Sequence, residues 1–217
     1  MITAVRTPAG APGPMPEALA GFEHVTRYWD SLHESFAAKI LPGEFYVTYH
    51  PELVVTVLGS CVSACVRDPL RGFGGMNHFM LPAQAEDSAS DWSADLSTTT
   101  RYGNFAMERL LNELLKRGSV RRNLEVKIFG GGQVLAGMTD IGRLNVAFVR
   151  EYLAAEGLRV VAEDVEDVYP RKVYYFPRTG RVRVLKLKKL ANDTIVRRER
   201  DYMFELAAPI AGAVELF

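Results

Sequence analysis

The sequence predicts a layered α/β domain, with a mostly antiparallel or mixed β-sheet core packed by two to three helices. Three observations predict it. Apolar runs without strict alternation, LVVTVL at 53–58 and the residues after Cys61, read as strands covered on both faces. Two other stretches, at 107–115 and 144–155, repeat their apolar residues at helical spacing. A chain of 217 residues with 48% hydrophobic content can bury the core of one domain.

The elements follow in order. Residues 1–20, rich in Pro, Ala and Gly, predict a mobile tail, which leaves 21–217 as the folded domain. Residues 22–36 carry Phe22, Trp29 and Phe36 near helical periodicity and read as a short amphipathic helix or docking segment. Strands are expected at 44–49, 52–58, 61–67 and 72–81. The polar stretch at 83–100 reads as a surface loop and a rim of the site. A helix is predicted over 101–117, with Gly118 as its stop, then a strand at 124–131 and a second helix over 144–155 closed by Gly157. Later strands fall at 158–165, 172–176 and 181–188, the last bulged where its phase changes between Val184 and Leu185. Asp193 or Thr194 would cap a closing helix through Leu206.

Composition excludes several function classes. Lys plus Arg and Asp plus Glu each number 26, so no overall field draws the chain to nucleic acid or an anionic membrane. No run approaches the roughly 20 apolar residues of a membrane span, and the N-terminus lacks the apolar core of a secretory signal. Cys61 and Cys65 lie four apart on one predicted strand, too far along it for a disulfide, and read as free thiols. A reducing cytoplasm fits these features.

Cys61 follows a Gly59-Ser60 turn, and His78 lies on the adjoining apolar run. A thiol and an imidazole so arranged are the parts of a nucleophile and its base. Asp68 and Pro69 mark a tight turn between the two strands. If Arg67 pairs with Gly72 across a four-residue loop at 68–71, Cys61 faces His78 directly, and such partners have Cβ atoms roughly 5 Å apart. An imidazole within reach lowers a thiol pKa of roughly 8.5 and supplies a proton to the leaving group.

Thr56, Leu58-Gly59-Ser60-Cys61, Asp68-Pro69, Gly75-Met76-Asn77-His78-Phe79-Met80-Leu81-Pro82, the helix-like RYGNFAMERLLNELL and KIFGGGQVL together resemble the CheD-type chemoreceptor glutamine deamidases. The similarity runs in order over residues 40–177. It implies hydrolysis of selected glutamine side chains on the cytoplasmic domains of chemotaxis receptors, with Cys61, His78 and Thr56 as the catalytic set and no cofactor. It also implies that some members bind a companion phosphatase. The backbone N–H groups of the Gly59-Ser60-Cys61 turn are the nearest supply of donors for an oxyanion.

Plainer readings stand beside these. Cys61 by itself would be an inert core thiol, and the resemblance decides for a nucleophile. Cys65 has nothing to overturn a packing role. A zinc site of Cys61, Cys65 and His78 lacks a fourth ligand, and His24 and His33 sit in no ligand-spaced cluster. The run from Gly130 to Gln133 lacks the Lys and Ser/Thr of a phosphate loop and reads as a tight turn, which the resemblance sets near the site. Between Arg181 and Arg200 eight basic residues face two acidic ones, a solvated surface or a docking patch. The rival to an enzyme is an adaptor that binds the receptor or the phosphatase without turnover. Should His78 fail as the base, His50 is the next candidate.

Overall fold

A computed structural model describes residues 10–11, 13–82, 92–134, 141–188 and 193–207. Its strands are β1 (Thr26–Asp30), β2 (Ser35–Lys39), β3 (Phe45–Thr48), β4 (Leu53–Leu58), β5 (Val62–Asp68), β6 (Phe73–Asn77), β7 (Glu125–Gly130), β8 (Arg159–Val165), β9 (Arg171–Phe176) and β10 (Arg181–Lys186). Helices α1 (Trp92–Lys116), α2 (Ile141–Ala155) and α3 (Asp193–Ala207) complete the described elements.

The strands form two five-stranded sheets, ordered β1-β2-β4-β9-β10 and β3-β6-β5-β7-β8. Among the described strands, only β2 with β4 and β7 with β8 run parallel, so both sheets are mixed, as the sequence predicts. Alternation along β4 sends Val54 and Leu58 into the main core, while Leu53 and Val55 join a smaller cluster with Ala37 and Tyr174 on the other face. That is why β4 shows no apolar/polar alternation. The two sheets meet through the main core, where the Tyr175 hydroxyl of β9 donates to the Val66 carbonyl of β5. Helices α1 and α2 cover the second sheet from outside. Met107, Leu110, Leu111 and Leu114 are buried on α1, and Gly118 ends it at φ 93°, a conformation that favours glycine.

Three expectations are corrected. The segment at 22–36 is no helix: β1 and β2 form a hairpin in which Trp29 faces Phe36, with ring centroids 5.1 Å apart. Seven residues of spacing suit a helix face and a cross-strand pair equally, and the turn, with Glu34 at φ 47°, decides. The loop expected at 83–100 is helical from Trp92, while 83–91 lie outside the described residues. β10 keeps an unbroken register with β9 and carries no bulge; its phase shifts because Leu185 is exposed near the strand's end. The irregularity falls instead between Val126 and Lys127 in the pairing of β7 with β8.

The expected tail at 1–20 lies partly outside the described residues; within it, Ala18 and Leu19 pack against the core. No described helix is long and apolar enough to cross a membrane.

Gly130 closes β7 at φ 111°, and a Cβ there would sit 2.1 Å from the Cys61 carbonyl oxygen. Both the backbone conformation and the space require glycine. Gly130→Ala is therefore expected to lower unfolding free energy by at least about 2 kcal/mol, read from urea midpoints. A midpoint equal to that of the parent chain would contradict this packing.

Candidate active site

β4 ends at Leu58 and the chain turns through Gly59, Ser60 and Cys61 before β5 begins. Two groups outside the turn fix its shape. Gly131 N–H donates to the Cys61 carbonyl at 2.8 Å, and Gly132 N–H to the Gly59 carbonyl at 2.7 Å, so the triple-glycine run clasps the turn from one side. Asn145 of α2, fully buried, donates its amide to the Ser60 carbonyl at 2.9 Å and accepts the Leu81 N–H at 2.8 Å. With its carbonyls held outward, the turn presents its N–H groups to the interior.

His78 follows directly on β6. Its Nδ1 lies 2.7 Å from the Thr56 hydroxyl oxygen, which also lies 2.8 Å from the Ile40 carbonyl. A hydroxyl has one proton and a carbonyl can only accept, so that proton goes to Ile40. Thr56 must then accept from Nδ1–H, and the ring is left with a bare Nε2. Nε2 is buried and has no hydrogen-bond partner among the described residues.

The structure brings Thr56, Cys61 and His78 to one place, but by a different register. Arg67 pairs with Gly74 and Asp68 with Phe73, so the connecting loop is 69–72. Asp68 explains the shift: its carboxylate accepts the N–H groups of Leu70 and Arg71, its carbonyl accepts that of Gly72, and it stays the last paired residue. Each partner moves by two positions, as the bridge between Val62 and Phe79 shows. A two-residue slip keeps a side chain on its face, so His78 becomes a diagonal neighbour of Cys61 on the same side. A ring nitrogen of His78 and the Cys61 sulfur lie within 4.8 Å of each other.

A third group in this cluster escapes sequence reasoning. Glu199 of α3 is fully buried, and its carboxylate accepts from Gly59 N–H at 2.7 Å, Ser60 N–H at 2.8 Å, the Ser60 hydroxyl at 2.8 Å and, more distantly, Cys61 N–H at 3.4 Å. The donors expected to hold an oxyanion thus hold a carboxylate from the chain's own last described helix. Nothing in a basic, amphipathic stretch 140 residues downstream marks one glutamate for burial. Asn145 left a fainter trace, a polar residue among the apolar positions of α2. Cys65 is buried in electrostatic reach of Tyr175, and His50 is a loop residue whose N–H caps onto Thr48.

Burial governs the titration of the pair. It pushes the Cys61 thiol well above its ordinary value, and the Glu199 charge pushes the same way. It lowers His78 to about 3, with the nearby Arg198 guanidinium adding to the effect. The lowered thiol pKa expected from sequence is therefore reversed in this closed arrangement: the pair rests as neutral thiol and neutral imidazole. Cys61, His78 and Glu199 also form a possible three-ligand metal set. The turn's N–H groups point at the same carboxylate, however, and backbone donors favour an anion over a cation.

Comparison with known proteins bears on this site. The family model for CheD chemotactic sensory transduction matches residues 80–186, downstream of Thr56, Cys61 and His78. A relative from Halorhodospira halophila is 57% identical over 205 residues, covering 94% of each chain. Another from Methylobacillus flagellatus is 57% identical over 193 residues, 88% of this chain and 94% of its own. A third from Hahella chejuensis is 51% identical over 207 residues, 95% and 97% of the two chains. All three are named probable chemoreceptor glutamine deamidase CheD.

The neutral His78 makes stability depend on pH. Between pH 6.5 and about 3 the unfolded chain binds a proton at this position that the folded chain does not. Stability is lost as pH falls through that window, at up to about 1.4 kcal/mol per unit. From pH 7 to pH 5 the parent protein is expected to lose about 2 kcal/mol more than His78→Asn, measured by urea unfolding. Equal losses in the two proteins would contradict a buried neutral imidazole.

Proposed function

Because this chain belongs to the CheD family, we propose that it hydrolyses glutamine side-chain amides on chemotaxis receptors, with Cys61 as nucleophile, His78 as proton carrier and Thr56 orienting the imidazole. The observation that carries this reading is the chain of hydrogen bonds from Ile40 through Thr56 to His78, which leaves Nε2 bare within the cluster that holds the Cys61 sulfur. In the reaction His78 takes the thiol proton as Sγ attacks the amide carbon, and the N–H groups of the 59–61 turn hold the oxyanion. His78 then passes its proton to departing ammonia. Water activated by the same nitrogen hydrolyses the thioester, leaving glutamate and a free thiol.

A substrate on receptor cytoplasmic domains sets the protein in the cytoplasm. A companion chemotaxis phosphatase is a second partner in this reading. The adaptor alternative draws on one observation: Cys61 is fully buried, with its thiol pushed up. A nucleophile must be uncovered before it can act.

The test separates the two. Incubating the protein with a receptor cytoplasmic fragment should raise the mass of particular peptides by about one dalton, the change from amide to acid. Cys61→Ala should abolish this gain, because a methyl group cannot replace the nucleophilic sulfur. Cys65→Ala should keep most of the activity, at a stability loss of about 1 to 2 kcal/mol. Full turnover by Cys61→Ala, or loss confined to Cys65→Ala, would overturn the assignment.

A further inference from the structure

A buried carboxylate is costly unless it is fully paired, and that of Glu199 takes its hydrogen bonds from backbone and hydroxyl donors beside Cys61. Glutamate is also the product of glutamine deamidation: the same side chain, of the same length, ending in a carboxylate where the substrate has an amide. In this chain it lies with its oxygen, the Cys61 sulfur and a His78 nitrogen within 4.8 Å of one another.

Two glycines leave room for the helix and its carboxylate. A Cβ at Gly59 would come within 2.5 Å of the Glu199 carboxylate oxygen, so glycine there gives the carboxylate its room. A Cβ at Gly43 would come within 2.9 Å of the Tyr202 hydroxyl, so a second glycine lets α3 close down. On either side of Glu199, Arg198 donates to the Val57 carbonyl at 3.0 Å and the Tyr202 hydroxyl meets that of Tyr102 on α1. Ile195 and Met203 are buried on the same helix. The helix is held at both ends and delivers one side chain to the reacting groups.

We propose that α3 is a built-in occupant of the substrate site, with Glu199 bound as the product glutamate is bound, so that the site accepts a Glu or Gln side chain presented on a helix and stays closed to receptor until α3 withdraws. This rests on the reading of Cys61 as the nucleophile. It explains why the reactive pair is fully buried: the closed state mimics a product complex, with the chain's own glutamate in the product's place. Withdrawal of α3 uncovers the sulfur, removes the Glu199 charge and lets water reach His78.

The proposal makes Glu199→Gln a substrate in its own chain. Cys61 Sγ would bond to the amide carbon, the C–N bond would break, and ammonia would leave with the proton that His78 took from the thiol. Water would then add to the thioester carbon, releasing a carboxylate and returning a proton to the sulfur. Amide and water become carboxylate and ammonium, with no change of oxidation state.

The experiment is peptide mass analysis of full-length Glu199→Gln beside the double variant Cys61→Ala/Glu199→Gln. The single variant should gain about one dalton in the peptide that spans position 199, while the double variant, with no nucleophile, keeps its amide. In parallel, Glu199→Ala should lower KM for a receptor fragment about tenfold, because a site occupied in nearly all molecules binds that much more weakly. Persistence of the amide in the single variant, or conversion at equal rate in the double variant, overturns the proposal. So does an unchanged KM in Glu199→Ala. Wild-type turnover of the receptor fragment, measured alongside, tells whether the α3 inference has failed alone or the deamidase reading with it.

Discussion

One proton orders this site. The Thr56 hydroxyl can donate only once, and the Ile40 carbonyl, which cannot donate at all, takes that proton. From this it follows that Nδ1 of His78 must be protonated and Nε2 must be bare. The remainder of the fold serves to bring the parts together. β4 carries Thr56 into the space between the sheets, β6 ends one residue before His78, and the turn out of β4 supplies Cys61. The pairing of β5 with β6 then sets thiol and imidazole on the same face. Were Thr56 an apolar residue, the ring would have no reason to choose a tautomer.

The second constraint is the backbone of residues 59–61. Its carbonyls are bound from outside by Asn145 and the Gly131 and Gly132 N–H groups, so its own N–H groups converge inward. Convergent N–H groups are a site for negative charge, and Glu199 supplies it in this state. Burial and the presence of that carboxylate act in concert on the thiol, both favouring the protonated form. This buried arrangement is thus chemically quiet: thiol and imidazole are neutral, and the N–H groups of the turn are already satisfied. In the proposed mechanism, oxyanion binding and occupancy by Glu199 use the same N–H groups, so the two exclude each other.

Much of this was legible in the sequence, and the gaps have physical causes. Strands β3 to β10 and helix α2 follow from apolar pattern and glycine stops: burial on both faces leaves unbroken apolar runs in β4 and β5, and Gly118 and Gly157 take positive φ. The nearness of Cys61 to His78 was legible because a slip of two residues preserves the face. The exact loop was not: Asp68 extends the ladder by holding three N–H groups, and only coordinates show how a side chain is shared. The hairpin of β1 and β2 was misread because seven residues separate Trp29 from Phe36, a distance compatible with either structure. Glu199 and Asn145 act through contacts 140 and 85 residues away, which local pattern does not carry.

The tautomer of His78, read by ¹⁵N nuclear magnetic resonance near neutral pH, tests this arrangement most directly. This arrangement predicts a neutral ring protonated at Nδ1 with a bare Nε2, and loss of that single tautomer in Thr56→Val. A ring protonated at Nε2 would contradict it, since the nitrogen assigned to the Cys61 proton would already be occupied.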